Sequence, residues 1–239
     1  MIAENLDKVR KRIADACSRC GRNREDVLLV AVSKTFGVED IREAFGSGQP
    51  DYGENYVQEL RTKRQDLADV GIRWHFIGHL QSNKVKYIVP YVHLIHSVDN
   101  EHLALEIQKQ AERRNRVVNV LIEVHTTDEA TKYGIPPPQA VDLAKRISGL
   151  QNIRLQGLMT MGPFSDDPND SRRSFRQIVD LKMQIEREGI DGVTLHHLSM
   201  GMTHDFEVAI EEGSTIVRIG TAIFGKRIKA ESSQTEGMP

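Results

Sequence analysis

Residues 27–34 read VLLVAVSK, and Thr35, Phe36 and Gly37 follow at once. Seven residues suited to a buried strand end in a lysine. Burying an unpaired ammonium costs on the order of several kcal/mol. Lys34 therefore either keeps its head in water at the strand's end, with its stem on apolar surface, or serves a site at the strand's tip. The rest of the chain has to separate the two.

Outward from this strand the pattern alternates. Before it, Met1–Cys20 reads as a helix with Ile2, Leu6, Val9 and Ile13 on one face. After it come a helix near Val38–Gly46, a brief strand in DYGEN, and a helix near Tyr56–Ala68. WHFIGH (74–79) reads as a strand, and a helix opens at Ser82. Val92–Val98 and Val117–Val124 are the next strands. Asp99 or Asn100 is suited to cap the helix after the first of them. PPPQAVDLAKRI opens a helix behind proline. Arg154–Thr160, a long helix over Asp170–Glu188, Thr194–Ser199, a helix over Asp205–Glu212 and Ser214–Gly220 complete the series, with a helical turn at Ala222–Phe224. Eight strands with intervening helices predict an all-parallel α/β protein. A single (β/α)8 barrel with an extra N-terminal helix is the expected fold, since such barrels run to about 250 residues. An open doubly wound sheet is the alternative. One domain over residues 1–225 is expected, with 226–239 as a polar, frayed tail.

Composition excludes several function classes. The chain has 239 residues, 32 basic and 34 acidic, for a formal charge of −2, and no basic run forms a patch. A nucleic-acid partner is not expected. No apolar run reaches the roughly 20 residues that span a membrane, and the N-terminus has no apolar core of a secretory signal. A cytoplasmic protein is expected. Cys17 and Cys20, in CSRC, lack the second ligand pair of a zinc site and the strand context of a redox motif. We read them as incidental. His196 and His197 are adjacent, so in a strand they face opposite sides, and no metal site is expected.

In a parallel barrel, chemistry gathers at the C-terminal ends of the strands. Those ends carry Lys34; Gly53, Glu54 and Asn55; His79; Ser97; Met159 and Thr160; Ser199, Met200 and Gly201; and Arg218, Gly220 and Thr221. SMGMT and RIGTAIFG place glycine and small hydroxyls after the seventh and eighth strands, where barrels bind phosphate. A lysine beside a phosphate site invites Schiff-base chemistry, and pyridoxal 5′-phosphate supplies both an aldehyde and a phosphate. Arg218 lies in the apolar stretch STIVRIG, where it either pairs with a carboxylate such as Glu123 or serves the ligand.

The stretches VAVSKTF, YGENYVQE, WHFIGHLQSNK, HSVDN, GLMTM, LSMGMTHDFE and GSTIVRIGTAIFG, as an ordered set, resemble the pyridoxal phosphate homeostasis proteins. These are relatives of the alanine racemase barrel domain, also known as the YggS or PROSC family. The resemblance runs from about Leu6 to Gly225. It implies a barrel with pyridoxal 5′-phosphate held on Lys34 as an internal aldimine and Arg218 facing the pyridine nitrogen. It further implies Ser199, Gly201, Gly220 and Thr221 near the phosphate, and Asn55, His79 and Met200 around the cofactor. A charged arginine at the ring nitrogen donates a hydrogen bond and discourages protonation, which weakens the ring as an electron sink.

The departures bear on activity. Alanine racemases add a C-terminal β-domain bearing a tyrosine base, and none of the five tyrosines here follows the barrel. Two-face proton transfer then lacks a second base. Where relatives commonly have glutamine and asparagine, this chain has Glu123 and His125. The expected function is cofactor buffering and delivery to pyridoxal phosphate-dependent apo-enzymes by a monomer, with little or no turnover. A single-domain amino-acid racemase is the alternative. A barrel for another phosphorylated metabolite, with Lys34 only pairing charge, is the third reading.

Overall fold

The computed structural model describes residues 1–127 and 133–225. The expected tail at 226–239 lies outside the described residues. Eight strands close a parallel barrel in sequence order: β1 (Leu28–Val32), β2 (Asp51–Glu54), β3 (Arg73–Phe76), β4 (Leu94–Val98), β5 (Val118–Glu123), β6 (Ile153–Met159), β7 (His197–Ser199) and β8 (Ile216–Ile219). Closure comes from β1 beside β8, with Val30 opposite Arg218. The helices are α1 (Ile2–Arg19), α2 (Val38–Gly46), α3 (Val57–Asp66), α4 (Val85–Ile88), α5 (Glu101–Glu112), α6 (Ala140–Ser148), α7 (Arg172–Arg187), α8 (Phe206–Glu211) and α9 (Thr221–Phe224). The open-sheet alternative is thereby excluded. Asn100 caps α5, its side chain accepting from the Leu103 amide at 2.8 Å.

Alternation along each strand divides the side chains between two cores. Leu29, Ala31, Tyr52, Trp74, Phe76, Ile95, Val120, Ile122, Val217 and Ile219 face the helices and join one large outer core. Each buried aliphatic side chain there contributes roughly 2 kcal/mol. Helix α1 adds Ile2, Leu6, Val9, Ile13, Ala16 and Cys17 to it. That helix also ties down the end of the barrel: Asn5 Nδ2 donates to the Ile223 carbonyl at 2.9 Å, and Arg12 pairs with Glu207 on α8. The inner core is small, comprising Val30, Leu94, Leu121, Met159 and Ile216. It stops there because inward positions on β2, β3, β4, β7 and β8 carry polar groups, and these run toward the mouth.

The observed strands are shorter than the apolar runs predicted. Thr194–Ser199 contributes only His197–Ser199 to the sheet, because the ladder needs partners on both sides and β6 and β8 supply them only there. The helix predicted from Ser82 begins as a single 3₁₀ turn and continues as the four-residue α4.

Candidate functional site

The C-terminal ends of the strands surround a cavity of about 440 Å³, lined on its inner side by Val32, Lys34, Asn55, Ile77, Arg218 and Gly220. Sites for small ligands fall in this size range. Val32 and Lys34 continue the inward-facing series of β1, so period-two alternation aims the lysine into the barrel mouth rather than at the helices. Phe36, two residues on, stacks on Phe224 with ring centroids 5.0 Å apart. The loop after β1 is thus joined to α9. The outer wall comes from the loops after β6 and β7, including Met161, Phe164, Met202 and His204.

Two glycines shape the rim. Gly201 has φ +94°, and a Cβ there would come within 2.6 Å of the Ala209 methyl and 2.9 Å of the Phe206 backbone, so the loop after β7 lies directly on α8. At Gly78 a Cβ would sit 2.3 Å from the Asn55 carbonyl. The loop after β3 therefore presses on the backbone of Asn55, and only glycine permits the approach. Asn55 lines the cavity, and its side-chain carbonyl oxygen is buried with no hydrogen-bond partner among the described residues.

Arg218 is 4% exposed, and its side chain is oriented from below. Nη1 donates to Ser199 Oγ at 2.6 Å and Nη2 to the Thr160 carbonyl at 3.0 Å. Ser199 Oγ lies 2.9 Å from His96 Nδ1. His96 Nε2 lies 2.9 Å from His75 Nδ1, and His75 Nε2 lies 3.0 Å from Asp51 Oδ1. Asp51 in turn receives Arg73 through Nε and Nη2 at 2.7 and 2.6 Å. Donor capacity assigns every proton in this chain. The carboxylate only accepts, so His75 donates to it from Nε2; with both rings neutral, His96 donates from Nε2 to His75 Nδ1, and Ser199, which accepts from Arg218, gives its own proton to His96 Nδ1.

The electrostatics agree with that assignment. Burial first, then the neighbouring His75 and Arg218, hold His96 well below the ordinary histidine range. Asp51 is lowered to about 2: Arg73 and His75, by hydrogen bonds and charge, overcome the opposing effect of burial. Burial lowers Arg218 to about 10, against the attraction of Asp205 and Glu123, and it stays protonated at neutral pH. Glu123, at the end of β5, is raised to about 7, chiefly by burial and next by Asp99, with Arg218 opposing. Arg218 thus makes its hydrogen bonds to Ser199 and Thr160, and Glu123 acts on it through space, not as the ion-pair partner one reading of the sequence offered.

Of the residues singled out in the sequence, Lys34, Asn55, Arg218, Gly220 and Thr221 line the one cavity. Ser199 lies beneath it, spent on Arg218 and His96. Met200 turns the other way: its side chain joins the outer core and its amide donates to the Ile216 carbonyl at 3.1 Å. Gly201 shapes the loop. His79 is exposed outside the cavity lining, where it stacks on Tyr133 at 4.1 Å and lies 3.8 Å from Asp99. His125 belongs to a separate groove with Thr126, Thr127 and Arg173. Sequence reasoning missed Asp51, His75 and His96. A histidine inside each of two apolar strands, WHF and LIHSV, was the available signal.

Comparison with known proteins gives the family of this closed parallel barrel. The alanine racemase N-terminal domain model matches residues 4–228. The pyridoxal phosphate homeostasis protein of Aquifex aeolicus is 49% identical over 224 residues, 94% of this chain and 97% of the relative. PipY of Synechococcus elongatus, solved with PLP bound, superposes with a TM-score of 0.83 at 31% identity, covering 94% of this chain and all of PipY. The alanine racemase of Streptomyces lavendulae shares the fold, with a TM-score of 0.73 at 18% identity over 93% of this chain and 58% of the racemase. The chain belongs to the alanine racemase N-terminal domain family and, within it, to the pyridoxal phosphate homeostasis proteins.

Proposed function

We propose that this protein binds pyridoxal 5′-phosphate in the cavity at the barrel mouth, covalently through Lys34, and serves its homeostasis by holding the cofactor and releasing it to apo-enzymes. The observation that carries the reading is the set of groups converging on one cavity of matching size: the inward lysine, the Arg218 guanidinium, and the Asn55 carbonyl oxygen buried without a partner among the described residues. PipY, which holds the same cofactor, supports it. When bound, the cofactor would supply an aldehyde for condensation with a primary amine, with one water leaving.

The chain's own residues then have separable tasks. Lys34 provides the amine. Arg218, with two of its nitrogens already committed below, offers its remaining N–H groups to a ring nitrogen and has no proton to give up at neutral pH. Gly220 and Thr221 form the rim beyond β8, where the backbone can approach a phosphate closely. The same reading has the protein act in the cytoplasm, as a monomer. Among the described residues no helix is long and apolar enough to cross a membrane.

The test is the visible absorption of the protein mixed with pyridoxal 5′-phosphate, wild type beside Lys34→Ala, followed by borohydride reduction and peptide mass mapping. A yellow band and a reduced adduct on Lys34, both lost in the variant, are expected. A colourless wild type with no adduct would overturn the reading and leave a barrel for another phosphorylated ligand. Deuterium exchange at the α-carbon of free amino acids, with chirality followed, reads turnover: washout with racemisation would replace homeostasis by a racemase.

A further inference from the structure

We propose that Lys63, on α3, is a positioning residue for Lys34: with Glu54 and Glu59 it clamps the backbone on both sides of the cofactor lysine. The inference rests on the reading of Lys34 given above. Lys63 is 5% exposed, and all three protons of its ammonium are committed. Nζ donates to the Ser33 carbonyl, to Glu54 Oε1 and to Glu59 Oε1, each at 2.7 Å. Ser33 is bound a second time, its hydroxyl donating to the same Glu54 oxygen at 2.7 Å. On the other side of Lys34, the Thr35 amide donates to Glu59 Oε1. One buried ammonium therefore reaches both neighbours of Lys34, directly at Ser33 and through Glu59 at Thr35.

The backbone held this way is strained. Thr35 has φ +70°, a conformation that a β-branched residue adopts only where its surroundings over-determine it, at a cost on the order of 1–2 kcal/mol. Without the strained turn the chain would leave Lys34 in another direction, and the loop that fixes the lysine's backbone would lose its seat on α9 through Phe36 and Phe224. The Phe36 amide closes the same turn onto the Ser33 carbonyl at 3.0 Å. Stability alone does not account for the arrangement. A buried ion pair is often no better for folding than apolar packing of the same volume, and Leu60, one turn earlier on α3, already supplies that packing. Glu54 uses only one oxygen, its Oε2 being buried and unpartnered among the described residues. Burial accordingly raises its carboxyl although Lys63 opposes it. Geometry at the Lys34 loop is what the cluster delivers.

The test compares wild type, Glu59→Ala, Glu59→Gln and the double variant Glu54→Gln/Lys63→Met, which leaves no unpaired buried charge. Two quantities are read in each: hydrogen exchange at the Thr35 and Phe36 amides without cofactor, and the rate at which pyridoxal 5′-phosphate with borohydride labels Lys34. We expect labelling about tenfold slower in Glu59→Ala and in the double variant, as displacement of a reacting group predicts, with at least about tenfold faster exchange at Thr35. Glu59→Gln keeps the acceptor for Thr35 and should stay near wild type. A lower melting temperature with both readouts unchanged would reduce the cluster to a structural role and overturn the proposal. If wild type takes no label on Lys34 while Thr35 exchange still rises in the variants, the reading of Lys34 fails and the clamp on its loop stands. If the double variant does not fold, Glu59→Ala decides, since the Glu59 side chain is 23% exposed and its loss leaves the Lys63–Glu54 pair intact.

Discussion

Replacing His96 by leucine is expected to remove about 4 kcal/mol of folding stability. The side chain is wholly buried and both ring nitrogens are spent, on Ser199 and on His75. Leucine approximates its volume but leaves the Ser199 hydroxyl proton without its acceptor and His75 Nδ1 without its partner. Each orphaned buried group costs about 1–3 kcal/mol. A second consequence concerns the cavity. Ser199 would be free to turn its proton elsewhere, and the Arg218 nitrogen it receives would lose its fixed acceptor. Urea unfolding of His96→Leu should show a lower midpoint at an unchanged slope. A loss below about 1 kcal/mol would mean that the polar chain from Asp51 to Arg218 is not held as a unit.

Glu123→Gln should stabilise the ligand-free protein by about 3 kcal/mol at pH 8 and by almost nothing at pH 4. In the folded protein burial raises this carboxyl from its ordinary range to about 7, so between roughly pH 4.5 and 7 the folded state keeps a proton that the unfolded state has released. Stability then falls as pH rises through that window. Each tenfold difference in proton affinity between the two states corresponds to about 1.4 kcal/mol, and above pH 7 the whole penalty is present. Glutamine never ionises and escapes it. Asp51 contributes in the opposite sense: its carboxyl is lowered to about 2, so its stabilisation is complete above pH 4 and is lost toward pH 2. Both proteins carry Asp51, and its effect cancels in the comparison. Paired urea titrations at the two pH values read the difference. Equal gains at pH 4 and pH 8 would trace the effect to packing and sink the ionisation argument.

The largest part of the fold was legible because each strand is written locally. Leu28–Val32 lies in an aliphatic run between Asp26 and Ser33, Val118–Glu123 lies in a largely β-branched and aliphatic stretch between Arg116 and His125, and the helix over Val38–Gly46 has the predicted bounds. The candidate site was legible where its charged groups sit in or just beyond a strand. Lys34 and Arg218 each interrupt an apolar run with a charge, which is conspicuous in one dimension. Met200 was not, because its neighbour Ser199 faces inward and a one-residue step turns the next side chain to the opposite face. His79 was not either, since a loop residue has no alternation to aim it.

The sequence by itself determined the alternation of strands and helices, the inward series that ends in Lys34, and the mixed charge that excludes a phosphate-neutralising surface. Those follow from local propensity and periodicity. Only the tertiary structure decided that β1 meets β8, that Asp51, His75, His96, Ser199 and Arg218 form one hydrogen-bonded chain, and that Lys63 reaches the turn around Lys34. Such contacts join residues 19 to 103 positions apart within the polar chain and 188 positions apart where Val30 meets Arg218. Their partners are selected by register and closure, which no short stretch of residues contains.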